Sequence, residues 1–175
     1  LNDTVAALLA GASSVEAGVK YSSYVGFILG TGINGAYIQE AGKYDNVKEQ
    51  IIVCESGKVP YIKQADFDRI FDEKSSKKGT SLLEKQSSGA YLGQICTLAF
   101  NLAAEENIFS EKLNSAFAKA EFFSLIVLND FIHHPYSQEN ELTKFLLENN
   151  ANQLDFEITL EIIDAIFDRS ARNTA

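Results

Sequence analysis

The chain has 175 residues, 46% of them hydrophobic, and a formal net charge of −9. That length and apolar share suit one globular domain with a real core and exclude a disordered chain. The negative charge argues against duplex nucleic acid as a partner, and the longest apolar runs, Phe122-Phe123 and Leu125 to Leu128, fall far short of the ~20 residues a membrane span needs.

In chain order, Thr4 to Ala12 is apolar and alanine-rich and follows Asn2 and Asp3, which predicts a helix whose N-terminus lies beside those two residues. Tyr24 to Leu29 is a short β-type run ending at a glycine, and Asn34 to Glu40 resumes with alternation, so the two read as a hairpin. Ile51 to Glu55 reads as a third strand. Tyr61 to Phe71 reads as a helix through Ala65, Ile70 and Phe71. Leu82 to Ala104 is the firmest helical segment, with Leu92, Ile95, Cys96, Ala99, Leu102 and Ala103 recurring at three and four; Gly89 and Gly93 inside it suggest close packing or a break near Ser88. Ser110 to Phe117, Glu141 to Asn149 and Asp155 to Arg172 read as further helices, and Ile132 to Gln138 as a break. Strands first and helices later predict an α/β domain with a β-meander under helical cover.

The chemistry-bearing residues start with Asp3. An aspartate at a helix start is commonly a cap; it also suits a general base, because phosphoryl transfer to an alcohol needs a carboxylate within reach of the hydroxyl proton. Gly30-Thr31-Gly32 reads either as a hairpin turn whose glycines supply positive φ or as a phosphate cradle of backbone amides plus the Thr31 hydroxyl. No P-loop and no dinucleotide fingerprint is present. Sugars are gripped by carboxylates and carboxamides that accept pairs of vicinal hydroxyls, and Asn2, Asn34, Glu55 and Glu84 are of those chemical types; spacing alone does not bring them together, and Glu55 at a strand end and Glu84 at a helix start also fit solvated or dipole-favoured positions. Cys54 and Cys96 lack metal spacing and read as reduced core thiols of a cytosolic protein. His133-His134 reads as a loop pair, Lys74 to Lys78 as a solvated charged turn, and Phe122-Phe123 and Phe67 with Phe71 as core aromatics.

Asn2-Asp3-Thr4-Val5, Gly30-Thr31-Gly32-Ile33-Asn34 with Ala36-Tyr37, Cys54-Glu55-Ser56-Gly57, and Glu84-Lys85-Gln86-Ser87-Ser88-Gly89-Ala90-Tyr91-Leu92-Gly93 stand in an order and spacing that resembles the eukaryotic-type hexokinases. Arg169-Ser170-Ala171-Arg172 is similar to their Arg-Ala-Ala helix. The resemblance implies the superfamily of sugar kinases, actin and heat-shock ATPases, with its ribonuclease-H-like α/β domains. It implies ATP-dependent phosphorylation of a hexose such as glucose at the 6-hydroxyl, the first step of glycolysis, with Mg²⁺ held largely by the nucleotide. In that reading Asp3 is the base. Asn2, Asn34, Glu55 and Glu84 bind the other hydroxyls, and Gly30, Thr31 and Gly32 hold the phosphates.

The family's aromatic after the sugar-binding glutamate is Ser56 here, its Gly-x-Phe becomes Gly57-Lys58-Val59, and a basic residue of the long-helix motif is Ala90. We read residues 1–175 as one domain, part of the large catalytic domain of a cytoplasmic hexokinase whose small domain and adenosine loop lie elsewhere, so the segment alone is expected to be inactive. Ser56 and Ala90 keep open a hexose-sensing relative that binds sugar without turnover. A filament-forming actin relative would need neither Glu55 nor Glu84.

Overall fold

The computed structural model describes residues 2–14, 19, 21–42 and 48–175. Helix α1 (Asp3–Ser13) leads into strands β1 (Val25–Leu29), β2 (Ile33–Gln39) and β3 (Gln50–Val53). The strands form one antiparallel meander in the order β1-β2-β3, with Val25 opposite Tyr37, Leu29 opposite Ile33, and Ala36 opposite Val53. Asn2 opens α1 by accepting the Thr4 N–H on its side-chain oxygen at 2.9 Å. The helix then lies directly on β1. A Cβ at Gly26 would stand 2.6 Å from the Thr4 carbonyl oxygen and 2.8 Å from Leu8 Cβ, so only glycine lets helix and strand approach this closely.

Seven helices follow: α2 (Asp66–Lys74), α3 (Leu82–Ser87), α4 (Leu92–Glu105), α5 (Glu111–Phe117), α6 (Leu125–His133), α7 (Glu141–Glu148) and α8 (Gln153–Thr174). Their core is aromatic and aliphatic, with Ile95, Phe100, Phe117, Leu128, Phe131 and Ile163 all fully buried. Phe100 stacks on Phe117 at 4.9 Å between ring centroids. Polar ties join the helices. Arg169 on α8 makes a bidentate pair with buried Asp68 on α2, at 2.6 and 3.0 Å, and lies over the Phe67 ring. Ser170 donates to the Ser87 carbonyl at 3.0 Å, fixing α8 against α3.

The structure departs from the sequence expectations at four places. The segment predicted as Leu82 to Ala104 is two helices, because the Gly89 N–H donates outward to the Gly30 carbonyl at 2.7 Å and the backbone turns between Ser88 and Tyr91. Helix α2 starts at Asp66 and not at Tyr61, since the Asp68 carboxylate caps the Ala65 N–H at 2.8 Å and ends the extended stretch there. Leu125–His133 is a helix that the pattern did not predict; Ser124 caps it on the Val127 N–H, so the predicted break at 132–138 begins two residues late. Finally, Cys54 and Phe122 are exposed and not core, because Cys54 follows the last residue of β3 and Phe122 precedes the start of α6. Cys96 is the core thiol of the pair: burial pushes it up to about 12 against the opposing charge of Arg169.

Candidate active site

At the N-terminus of α1 the two candidates divide their roles. Asn2 is the cap, and its oxygen is committed to the Thr4 N–H. Asp3 is the first helical residue and is exposed. Its carboxylate is therefore not the cap; it stands beside the positive end of the helix with no protein hydrogen bond among the described residues.

The Gly30-Thr31-Gly32 turn joins β1 to β2. The hairpin expected there is present, with Leu29 opposite Ile33 across the turn, but neither glycine supplies the positive φ expected of it. A Cβ on Gly32 would meet Glu84 Oε2 at 3.0 Å, so an added methyl group there would push the Glu84 carboxylate aside. A Cβ on Gly30 would meet nothing within 4 Å. The Gly30 N–H is used by the Gly32 carbonyl at 2.9 Å, and the Gly30 carbonyl by Gly89. Among the described residues the Thr31 and Gly32 N–H groups have no protein acceptor. Two free amides and an exposed hydroxyl beside open space fit the oxygens of a phosphate chain.

Asn34 accepts the Gly35 N–H at 2.8 Å and the Ser56 N–H at 3.1 Å on its side-chain oxygen, which leaves its NH₂ as a donor. The second bond anchors the bend after β3. There Glu55 adopts left-handed φ 53 and ψ 42, a conformation rare for a residue with a side chain, and opens a single 3-10 turn over Ser56–Lys58. Glu84, on the first turn of α3, accepts the Ile33 N–H at 3.4 Å. It fits between two glycines: a Cβ on Gly57 would lie 3.0 Å from Glu84 Cβ and 3.2 Å from the Ile33 carbonyl oxygen.

These groups converge. Asn2, Asp3, Asn34, Glu55 and Glu84 line one cleft of about 510 Å³ together with Gly30, Thr31 and Gly32. Residues more than eighty positions apart in sequence thus share one wall-to-wall site. Among the lining residues that the sequence reading did not single out are the polar Lys58, Lys77 and Ser81. The i, i+3 spacing of Glu55 and Lys58 was a usable signal, and their side chains are paired at 2.9 Å. Lys77 belongs to the segment expected to be a solvated turn, yet its carbonyl accepts the buried Lys85 ammonium at 2.7 Å and so holds that turn at the cleft. On the other side of the Gly30-Thr31 turn lies a second, largely apolar cavity of about 660 Å³, walled by Leu92, Leu125, Phe167 and Ala171 with Ser87, Ser124 and Ser170. Among the described residues, no group of three or more His, Cys, Asp and Glu side chains is arranged to hold a metal ion, and no helix is long and apolar enough to cross a membrane.

The family model described as hexokinase matches residues 24–175. A Plasmodium falciparum hexokinase is 28% identical over 172 residues, covering 98% of this chain and 34% of its own length. Hexokinase-9 of Oryza sativa subsp. japonica is 28% identical over 189 residues, covering all of this chain and 37% of its own. The chain thus spans about a third of the length of these curated relatives. A solved hexokinase from Schistosoma mansoni, complexed with glucose, superposes with a TM-score of 0.77 at 27% identity, over 99% of this chain and 41% of that one.

Proposed function

The chain belongs to the hexokinase family, and from that membership we propose that the protein containing it transfers the terminal phosphoryl group of ATP to the 6-hydroxyl of a hexose, with glucose the leading substrate. The observation that carries the reading is the shared cleft: one free carboxylate, four side chains of sugar-gripping type and a glycine turn with unpaired amides line the same space.

In this proposal Asp3 takes the proton from the attacking hydroxyl as the oxygen bonds to phosphorus. Glu55 and Glu84 accept hydrogen bonds from pairs of vicinal hydroxyls, and the free NH₂ groups of Asn2 and Asn34 donate to the ring's other oxygens. The Thr31 and Gly32 amides and the Thr31 hydroxyl hold the phosphates in line. The residues present fit a nucleotide on two counts: Gly30 leaves open space that no protein contact demands, and the 660 Å³ cavity beyond the turn offers apolar walls with serine hydroxyls for an adenosine. Mg²⁺ would arrive on the phosphates and neutralise their charge. The remaining parts of a hexokinase chain would complete the closed site, in a cytosolic setting where both thiols stay reduced.

A coupled assay for ADP release in the full-length protein, run beside calorimetry with glucose, tests the reading. Heat of glucose binding together with glucose-dependent ADP release is the expected result. One observation favours a second reading, the ion pair that already occupies Glu55. Glucose heat without ADP release would make the protein a sensor, and no glucose heat at all would remove both readings.

A further inference from the structure

We propose that Lys58 sets the acceptor preference of the cleft by claiming the Glu55 carboxylate, so that hexoses bearing an ammonium group are disfavoured against neutral ones. The inference rests on the proposed function and adds a residue to it and a class of sugar that the residue selects against.

The Glu55–Lys58 contact is built by the backbone. Lys58 closes the 3-10 turn that Glu55 opens: its N–H donates to the Glu55 carbonyl at 2.9 Å, and its Nζ lies 2.9 Å from Glu55 Oε2. In a 3-10 turn the side chains at i and i+3 eclipse, which brings the two heads together. The left-handed backbone at Glu55 and the Asn34 bond to the Ser56 N–H fix that turn from both ends. Both side chains remain more than half exposed, at 54% for Glu55 and 68% for Lys58, so the pair is weak enough for a ligand to compete with it.

Charge then decides which ligand competes well. Asp3, Glu55 and Glu84 bring three carboxylic side chains to the cleft, and the Lys58 ammonium is paired with one of them. A neutral hexose can share the Glu55 carboxylate with Lys58, because a carboxylate has about four acceptor positions. A hexose ammonium must displace Lys58 or sit against it, and like charges at contact distance repel. Without Lys58 the same carboxylate becomes a free partner for the ammonium.

The test is the ratio of kcat/KM for glucosamine to that for glucose in the full-length protein, at about pH 6, where an amine of the α-amino type is protonated. Lys58→Met is expected to raise that ratio about fivefold or more, the factor one like-charge contact carries through water. Lys58→Arg keeps the cation and should retain the wild-type ratio, while the ratio for neutral 2-deoxyglucose should not move in either variant. An unchanged glucosamine ratio in Lys58→Met, or a Lys58→Arg protein that behaves like Lys58→Met, overturns the inference alone. A wild-type protein that phosphorylates no hexose overturns the proposed function instead.

Discussion

The Asn34 side-chain oxygen accepts the Ser56 N–H at 3.1 Å, so β2 holds the turn that presents Glu55. The same oxygen takes the Gly35 N–H at 2.8 Å. One side chain thereby supports the backbone of the site and keeps its NH₂ for a ligand. The two duties separate by substitution. Asn34→Asp preserves both acceptors but loses the donor, so thermal stability should stay near wild type while glucose affinity falls about tenfold, the loss expected of a hydrogen bond to a site polar group. Asn34→Ala orphans two backbone N–H groups and should also lower stability by about 1–3 kcal/mol. Melting curves beside glucose calorimetry on both variants check this; equal melting losses in the two would remove the support role.

Asp3 makes a cleaner case, because it is the first residue of α1 and not its cap. Asp3→Asn leaves the Asn2–Thr4 bond untouched, so the helix should persist. In the full-length protein, turnover should drop by ~10²-fold or more, the usual size of a lost general base, with hexose KM little changed. Steady-state kinetics decide it: an Asn variant with near wild-type kcat would remove the base role.

The sequence carried the elements better than their contacts. The three-four spacing of Leu92, Ile95, Cys96 and Ala99 was visible because α4 buries that face, whereas β2 was read from its alternation although it buries residues on both faces, Ile33 and Gly35 on one and Ala36 on the other. Helix α6 was not, since Leu125-Ile126-Val127-Leu128 is apolar at every position and has no period; the Ser124 cap was the only local cue. The α3–α4 break was half visible in Gly89, but its cause, the Gly30 carbonyl, is 59 positions away. The same limit applied to the site. The types of Asp3, Asn34, Glu55 and Glu84 could be read, while their convergence depends on α1 lying on Gly26 and on Glu84 fitting between Gly32 and Gly57, which no short window encodes. Family resemblance, not spacing, pointed to the cleft.

The two kinds of glycine at the site should respond oppositely to an added methyl group. Gly57→Ala places a Cβ 3.0 Å from Glu84 Cβ and 3.2 Å from the Ile33 carbonyl oxygen, both stiff neighbours. It should cost about 1–3 kcal/mol by overpacking and displace Glu84, weakening glucose binding. Gly30→Ala meets no protein atom within 4 Å and should melt close to wild type. If that space belongs to the phosphates, Gly30→Ala raises the KM for ATP several-fold and leaves glucose affinity unchanged. An ATP KM equal to wild type would take Gly30 out of the phosphate site.

The buried ion pair behind the cleft gives a pH signature. Lys85 donates to Asp72 at 2.5 Å, the Gly79 N–H supplies a further donor at 2.8 Å, and the side chains are only 5% and 12% exposed. Burial raises the Asp72 carboxyl, but the Lys85 and Gly79 hydrogen bonds and the charges of Lys85 and Lys78 outweigh it, so the group sits below its ordinary 3.8. The folded state therefore binds the proton less readily than the unfolded chain. The stabilisation is fully present above pH 3.8 and is lost as pH falls through the folded value below it. Asp72→Asn should thus be less stable than wild type at about pH 6, and the gap in urea midpoint should close in acid below 3.8. Lys85→Met leaves a buried carboxylate unpaired and should cost ~3 kcal/mol or more at neutral pH, while releasing the Lys77 carbonyl and loosening that wall of the cleft. A gap between wild type and Asp72→Asn that stays constant from about pH 6 into acid would show that the pair's charge contributes nothing to the fold.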